Sequence, residues 1–245
     1  MLAKITPRDL YHSLTGAAAP LIVDVRRPAT FEAADRMLPG AIRRAPDEVT
    51  RDLPPGRRIV AYCVHGHEVS QGAAAALAAA GRDAVYLEGG FEAWSAEGLP
   101  TRRRLDSGRW VTRARPKVDR IACPWLIRRF IDAEAEILYV PADEVAATAA
   151  AEGAIAFDVP GAAFGHEGER CSFDAFLTRF ELKDAALDRL ALIVRGADTG
   201  RPGLAPEAAG LHAVSQGLSA TIADDHRMLA YGMTLYDALY AWCAR

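Results

Sequence analysis

Three short apolar runs, LIVDV at 21–25, IVAYC at 59–63 and AVYL at 84–87, constrain the first hundred residues more than any other feature. They are too short for helices and lack the alternation of a sheet with one wet face. Such runs read as strands buried on both sides, which is the habit of parallel sheets. The intervening segments agree. QGAAAALAAAG (71–81) is a strong helix former that ends on glycine, and Gly89-Gly90 turns the chain into a short helix, FEAWSAEG, closed by Gly98. Near the start, Thr6 reads as an N-cap, Pro7 as the first helical residue and Asp9 as part of an approximate capping box. Strands alternating with helices imply an α/β domain over residues 1–100, its parallel sheet flanked by helices.

The pattern breaks at TRRRLDSGR (101–109), a polar stretch without periodicity that reads as an interdomain linker. Beyond it, residues 110–245 show strand signals first (WVT, EILYV, AIAFDV) and then helices almost without interruption, the order of a helix-rich α+β domain. A chain of 245 residues has room for two such domains. The formal net charge of −3 gives no reason to expect a polyanionic partner, so nucleic acid is not an expected ligand. No apolar run approaches the ~20 residues that span a bilayer, and MLAKITPRDLYHSL lacks the apolar core of a signal peptide. Cysteines 63, 123, 171 and 243 are far apart and form no C-x-x-C pair, so neither a disulfide framework nor a zinc ribbon is expected. A reduced, cytoplasmic setting is the default.

Cys63 carries the chemistry of the first domain. It ends a buried strand, and Val64, His65, Gly66, His67, Glu68 and Val69 follow before a helix expected to open at Ser70 and Gln71. Loop N–H groups turned inward, with a helix N-terminus behind them, favour thiolate over thiol and so make a nucleophile. The plain alternative is a small buried residue at a strand end, which the glycine-containing loop and the helix start make the weaker reading. His65 and His67 add positive charge if protonated.

These blocks resemble the rhodanese family. LIVDVRRPATFEAADRMLPGAI matches its signature, in which Asp24 and Arg26 follow a buried strand; YCVHGHEVSQGAAAALAAAG matches its active loop and helix; YLEGGFEAWSAEGLP matches its closing segment. The resemblance implies a cofactor-free sulfurtransferase: Cys63 takes a sulfane sulfur from thiosulfate or a similar donor, holds it as a persulfide and passes it to a thiol acceptor. Where many family members carry a loop arginine that holds an anionic donor, this chain has Glu68. A carboxylate there repels thiosulfate and raises the thiol pKa.

In the second domain, Cys123 precedes Pro124 and is expected near the N-cap of a helix PWLIRRFI, where the dipole would acidify it. His166, Glu167, Cys171, Asp174, Asp198, Asp225 and His226 are scattered at no recognised metal-ligand spacing, and by spacing alone they read as caps and surface pairs. WVTRARPKVDRIACPWLIRRFID, FDVPGAAFGHEGERCSFDAF, IVRGADT and DDHRMLAYGMTLYDALYAWC resemble the C-terminal domain of ChrB-type chromate-resistance proteins. That resemblance implies a link to chromate resistance. It raises the expectation that His166, Cys171, Asp198 and His226, with Cys123 nearby, converge on a site for a metal or an oxyanion. Chromate is a tetrahedral dianion, and a basic face of Arg113, Arg115, Lys117, Arg120 and Arg128 is the expected anion cradle. Two rival functions stand beside the sulfurtransferase: a non-catalytic chromate or metal sensor, favoured by Glu68, and a thiol-dependent chromate reductase drawing electrons from Cys63, Cys123 and Cys171.

Overall fold

LIVD and IVAY pair side by side in the computed structural model, which describes residues 2–104 and 108–245. The chain divides into two compact units, residues 1–104 with 129–133 and residues 105–128 with 134–245. In the first, the elements are β1 (Lys4–Ile5), α1 (Pro7–His12), β2 (Leu21–Asp24), α2 (Pro28–Glu32), β3 (Arg36–Met37), β4 (Ile42–Arg43), β5 (Ile59–Tyr62), α3 (Glu68–Ala79), β6 (Ala84–Leu87), α4 (Gly90–Ala96) and β7 (Arg102–Arg103). Thr6 caps α1 as expected, its hydroxyl accepting the Asp9 N–H at 3.2 Å. Five parallel strands stand in the order β1-β6-β5-β2-β4. Leu21, Val23, Ile59 and Ala61 are buried with Ala73 and Leu77 of α3. From β2 the chain leads towards β4, and from β5 it leads towards β6 on the opposite side. The carboxyl ends of β2 and β5 therefore flank a topological switch point, the place where open parallel sheets form ligand crevices.

The expected linker is corrected in part. Arg102 and Arg103 form β7, which pairs antiparallel with β3, and Arg102 is buried, donating to the Ala41 carbonyl at 2.9 Å. Its guanidinium finds fixed carbonyl partners, so polarity did not imply solvation here. Residues 105–107 of the expected linker lie outside the described residues.

The second unit holds β8 (Arg109–Arg113), α5 (Asp119–Leu126), β9 (Glu136–Val140), α6 (Val145–Glu152), β10 (Ile155–Ala156), α7 (Ser172–Phe180), α8 (Ala185–Asp198), α9 (Ala208–Thr221) and α10 (Asp225–Cys243). Its small sheet is parallel, with β8 between β10 and β9. Trp110 of β8 packs on Phe164 and Phe176, and Trp125 of α5 packs on Phe173 and Tyr236. Asp224 caps α10, accepting the Arg227 N–H at 2.6 Å.

The helix expected to begin at Pro124 begins at Asp119 instead, so Cys123 and Pro124 lie inside α5. A proline there has no N–H for the carbonyl four residues back. That carbonyl, on Arg120, is met by the Tyr139 hydroxyl at 3.0 Å, which is how the helix tolerates the proline. After Leu126 the chain widens into a π-helical turn, Ile127–Ile131.

Candidate functional sites

Cys63 follows β5 directly, at the switch point of the first sheet. Two glycines shape its loop. Gly66 has φ +69°, and a Cβ there would stand 2.6 Å from both Gly89 N and Leu87 O; Gly90 has φ +61° and would clash with the Cys63 carbonyl at 2.5 Å. The loop thus lies flat on the Gly89-Gly90 turn. Its outer carbonyls are consumed there, Phe91 N–H donating to Cys63 O at 2.9 Å and Glu92 N–H to Val64 O at 3.0 Å. Gln71 Nε2 donates to Gly66 O at 3.0 Å. With the carbonyls turned out, the amides turn in.

The sulfur feels them. Burial opposes the Cys63 thiolate, but the Ser70 hydroxyl and the N–H groups of Ser70, His67 and His65 outweigh it, and the thiol titrates below its ordinary value. Ser70 Oγ lies 3.2 Å from Cys63 Sγ. The helix behind the loop is α3, which starts at Glu68 rather than at Ser70, so Ser70 sits one turn in with its hydroxyl facing the sulfur. Glu68 is exposed in the first turn of α3, and the groups that set the thiol pKa are the amides and Ser70. The net shift is downward, so the nest and Ser70 prevail at the sulfur.

Cys63 opens into a cleft of about 510 Å³ lined also by Arg26, Thr30, His65, His67 and Glu68. Val64 and Val69 complete its apolar lining. His65 Nδ1 lies 3.0 Å from Glu92 Oε2. Asp24 is fully buried and holds Arg26 Nε at 2.9–3.0 Å, while Tyr62 donates its hydroxyl to Asp24 Oδ2 at 2.7 Å. Asp24 therefore fixes Arg26 beside the cleft and takes up its charge, and Arg27, exposed in the same lining, is a cation open to a donor anion.

The second unit gathers a different cluster, also at the carboxyl end of a parallel sheet. Asp119 begins α5 after β8, Asp158 follows β10, and Asp198 ends α8. His166 Nε2 lies 3.1 Å from Asp198 Oδ2, 3.4 Å from Asp119 Oδ2 and 3.4 Å from Asp158 Oδ1. Its three carboxylate neighbours raise the His166 pKa to about 9, the contact in which Asp119 accepts from the imidazole contributing most. Burial, then the charges of Asp119 and Asp158, raises Asp198 to about 7. Asp119 is fully buried and is likewise raised, chiefly by burial. Ser172 anchors two of the acids, donating its N–H to Asp119 Oδ2 at 2.7 Å and its hydroxyl to Asp158 Oδ1 at 3.0 Å.

Of the residues expected to converge, the structure brings together His166 and Asp198, and it adds Asp119 and Asp158. Cys171 and His226 are not in the group. Cys171 is the N-cap of α7, its N–H bonded to Asp174 Oδ2 at 3.0 Å, and His226 packs edge-on against Tyr139. Cys123 and Cys171 are corrected as redox candidates too. Burial, reinforced by the Asp119 charge, pushes both thiols up, so they are held protonated. The helix dipole cannot acidify Cys123, which lies inside the helix rather than at its start.

The basic face is also corrected. Arg113 and Arg120 both pair with Asp158 Oδ2, at 3.1 and 3.2 Å. Arg115 bonds the carbonyls of Ile222 and Ala223, each at 3.2 Å, and Arg128 bonds the Ala135 carbonyl at 3.3 Å. These guanidiniums are engaged by the unit's own oxygens. Asp119 and Asp158 were missed in the sequence because each lies inside an apolar block (VDRIAC, FDVP) that reads as core; both stand within the segments that carried the family resemblance.

Comparison with known proteins places these two sites in context. Residues 110–243 match the family model described as ChrB, C-terminal domain, and residues 6–97 match that of the rhodanese-like domain. The chain is 39% identical over 132 residues to Protein ChrB of Cupriavidus metallidurans, covering 54% of this chain and 39% of that protein. It is 30% identical over 103 residues to a sulfurtransferase of Allochromatium vinosum, covering 41% of this chain and 94% of that one. A probable adenylyltransferase/sulfurtransferase, MoeZ, of Mycobacterium tuberculosis is 30% identical over 102 residues, 26% of its own length. Among solved structures, a rhodanese-like domain protein from Staphylococcus aureus is 29% identical with a TM-score of 0.36, covering 43% of this chain and 100% of that one. The chain thus spans well under half the length of the ChrB and MoeZ proteins it matches.

Proposed function

Because this chain belongs to the family of the ChrB C-terminal domain and joins that domain to a rhodanese-like one, we propose that it is a sulfurtransferase linked to chromate resistance, working through a persulfide on Cys63. The observation that carries this reading is the Cys63 sulfur itself, held at a strand end by Ser70 and by the N–H groups of His65, His67 and Ser70. Its thiolate attacks the outer sulfur of thiosulfate. The new S–S bond forms as the old one breaks, sulfite departs with the bonding pair, and Cys63 is left as a persulfide anion. The same amides that stabilise the thiolate suit that terminal sulfur, since each presents a fixed positive dipole to a negative atom. An acceptor thiolate then takes the terminal sulfur and returns Cys63 to its starting charge, with no net oxidation of the protein. Arg27, the exposed cation of the lining, draws the dianionic donor into the cleft. No metal or organic cofactor is needed for this sequence of steps.

Intact-protein mass spectrometry after thiosulfate or mercaptopyruvate treatment tests the proposal. One added sulfur is expected on the wild type and none on Cys63→Ser. A wild type left unmodified by several donors would favour a second reading, a loop that senses rather than turns over, for which Glu68 in the donor cleft is the supporting feature. The cyanide–thiosulfate assay separates the two. A chromate reductase is the less supported reading, because Cys123 and Cys171 are held as thiols and the expected anion cradle is occupied by internal partners. Chromate loss with a thiol donor is the measurement that bears on it. Among the described residues no helix is long and apolar enough to cross a membrane. A cytoplasmic location remains part of this proposal, as thiol acceptors are kept reduced there.

A further inference from the structure

We propose that Asp119, His166 and Asp198 form a binding site for one divalent transition-metal cation in the second unit, separate from the sulfur chemistry at Cys63. The three residues come from the start of α5, the loop before α7 and the end of α8, and each offers a ligand atom within 4.8 Å of the others. His166 Nε2 is 3.1 Å from Asp198 Oδ2 and 3.4 Å from Asp119 Oδ2. Donors bound to one ion at roughly 2.0–2.2 Å, at tetrahedral or octahedral angles, stand about 3.0–3.5 Å apart. The side chains therefore already hold the spacing of shared ligands.

A second observation points the same way. Asp119 is sealed from solvent, and while its Oδ2 accepts the Ser172 N–H, its Oδ1 has no hydrogen-bond partner. A buried, unpartnered carboxylate oxygen is costly unless a cation meets it. The local charge favours one. Asp158, beside the trio, is satisfied by Arg113, Arg120 and the Ser172 hydroxyl. That leaves Asp119 and Asp198 to share a single imidazole. Asp119 and Asp198 flank the position, which favours a cation there over chromate or another oxyanion.

The donor set selects the class of ion. Two carboxylates and one imidazole, with no thiolate, suit a first-row divalent cation such as manganese, iron or zinc rather than a soft monovalent one. Three protein ligands leave coordination positions open, as in catalytic rather than closed structural sites. His166 also borders a cleft of about 280 Å³ lined by Arg113, Asp158, Gly161 and Gly165, which offers room for water or a small ligand.

The test uses the full chain stripped of metal and titrated in turn with Mn²⁺, followed by electron paramagnetic resonance, and Zn²⁺, followed by calorimetry. One ion per chain is expected. Asp198→Asn and His166→Gln should each weaken binding about tenfold or more, while His226→Gln and Cys63→Ser bind as the wild type does. Asp119→Asn is read only alongside thermal unfolding, since that residue is buried; the two more accessible variants decide the matter. Stoichiometric binding of neither ion in the millimolar range, or binding undiminished in both decisive variants, overturns the proposal and leaves the cluster a proton-held ionic network.

Discussion

Cys63 and its neighbours show how far single residues carry the chemistry. The Cys63 pKa is lowered, so the thiolate persists at pH values where an ordinary thiol, near 9.0, is protonated, and reactivity falls as pH drops through the lowered value. Alkylation of Cys63 by iodoacetamide, followed against pH, should therefore rise with a midpoint below 9.0. Ser70→Ala removes the hydroxyl at 3.2 Å and should move that midpoint upward. An unshifted midpoint would leave the backbone amides as the whole cause. Glu68 lines the donor cleft, and like-charge repulsion of a dianion there, partly screened, is worth about 1 kcal/mol, so Glu68→Arg should raise kcat/KM for thiosulfate roughly fivefold. Turnover unchanged or lowered would show that the donor approaches from another side, past Arg27.

At the scale of the element, the loop between β5 and α3 is a device for turning carbonyls out and amides in, and its glycines make it possible. Gly66→Ala adds a Cβ 2.6 Å from two backbone atoms at φ +69°. The left-handed conformation alone costs on the order of 1–2 kcal/mol for a residue with a side chain, before the clash is counted. We expect a lower Tm for the first unit together with loss of persulfide formation. Gly56→Ala makes the comparison, because its Cβ meets nothing within 4 Å at a similar φ of +80°, and it should lose stability without losing sulfur transfer. α5 teaches the opposite lesson about proline. Pro124 reads as a helix start, yet the helix runs through it because the Tyr139 hydroxyl serves the carbonyl that proline leaves open. That partner stands on β9, fifteen residues on, where no local pattern announces it.

For the whole molecule, charge is the property that bears on partners. The 29 Lys and Arg residues do not exceed the 32 Asp and Glu residues, and Arg113, Arg115, Arg120 and Arg128 face internal oxygens. Nucleic-acid affinity depends on basic groups free to displace counterions. The full chain should give no mobility shift with duplex DNA at physiological salt. A submicromolar, salt-sensitive shift would show that a basic surface other than these four arginines is at work.

What the sequence by itself determined is whatever depends on neighbours in the chain: the strands at 21–25, 59–63 and 84–87, the capped helices, and a cysteine followed by a glycine loop and a helix. Periodicity, caps and turn residues are local physics, so they are legible in one dimension, and the two family resemblances rested on such contiguous blocks. What only the tertiary structure decided is which distant groups share a space. Asp119, Asp158, His166 and Asp198 meet because two parallel strands and three helices bring their ends together, and Asp158 claims Arg113 and Arg120 there. The same folding buried Cys123 and Cys171 beside Asp119 and silenced them as thiolates, because desolvation and like charge act through space and leave no mark on spacing.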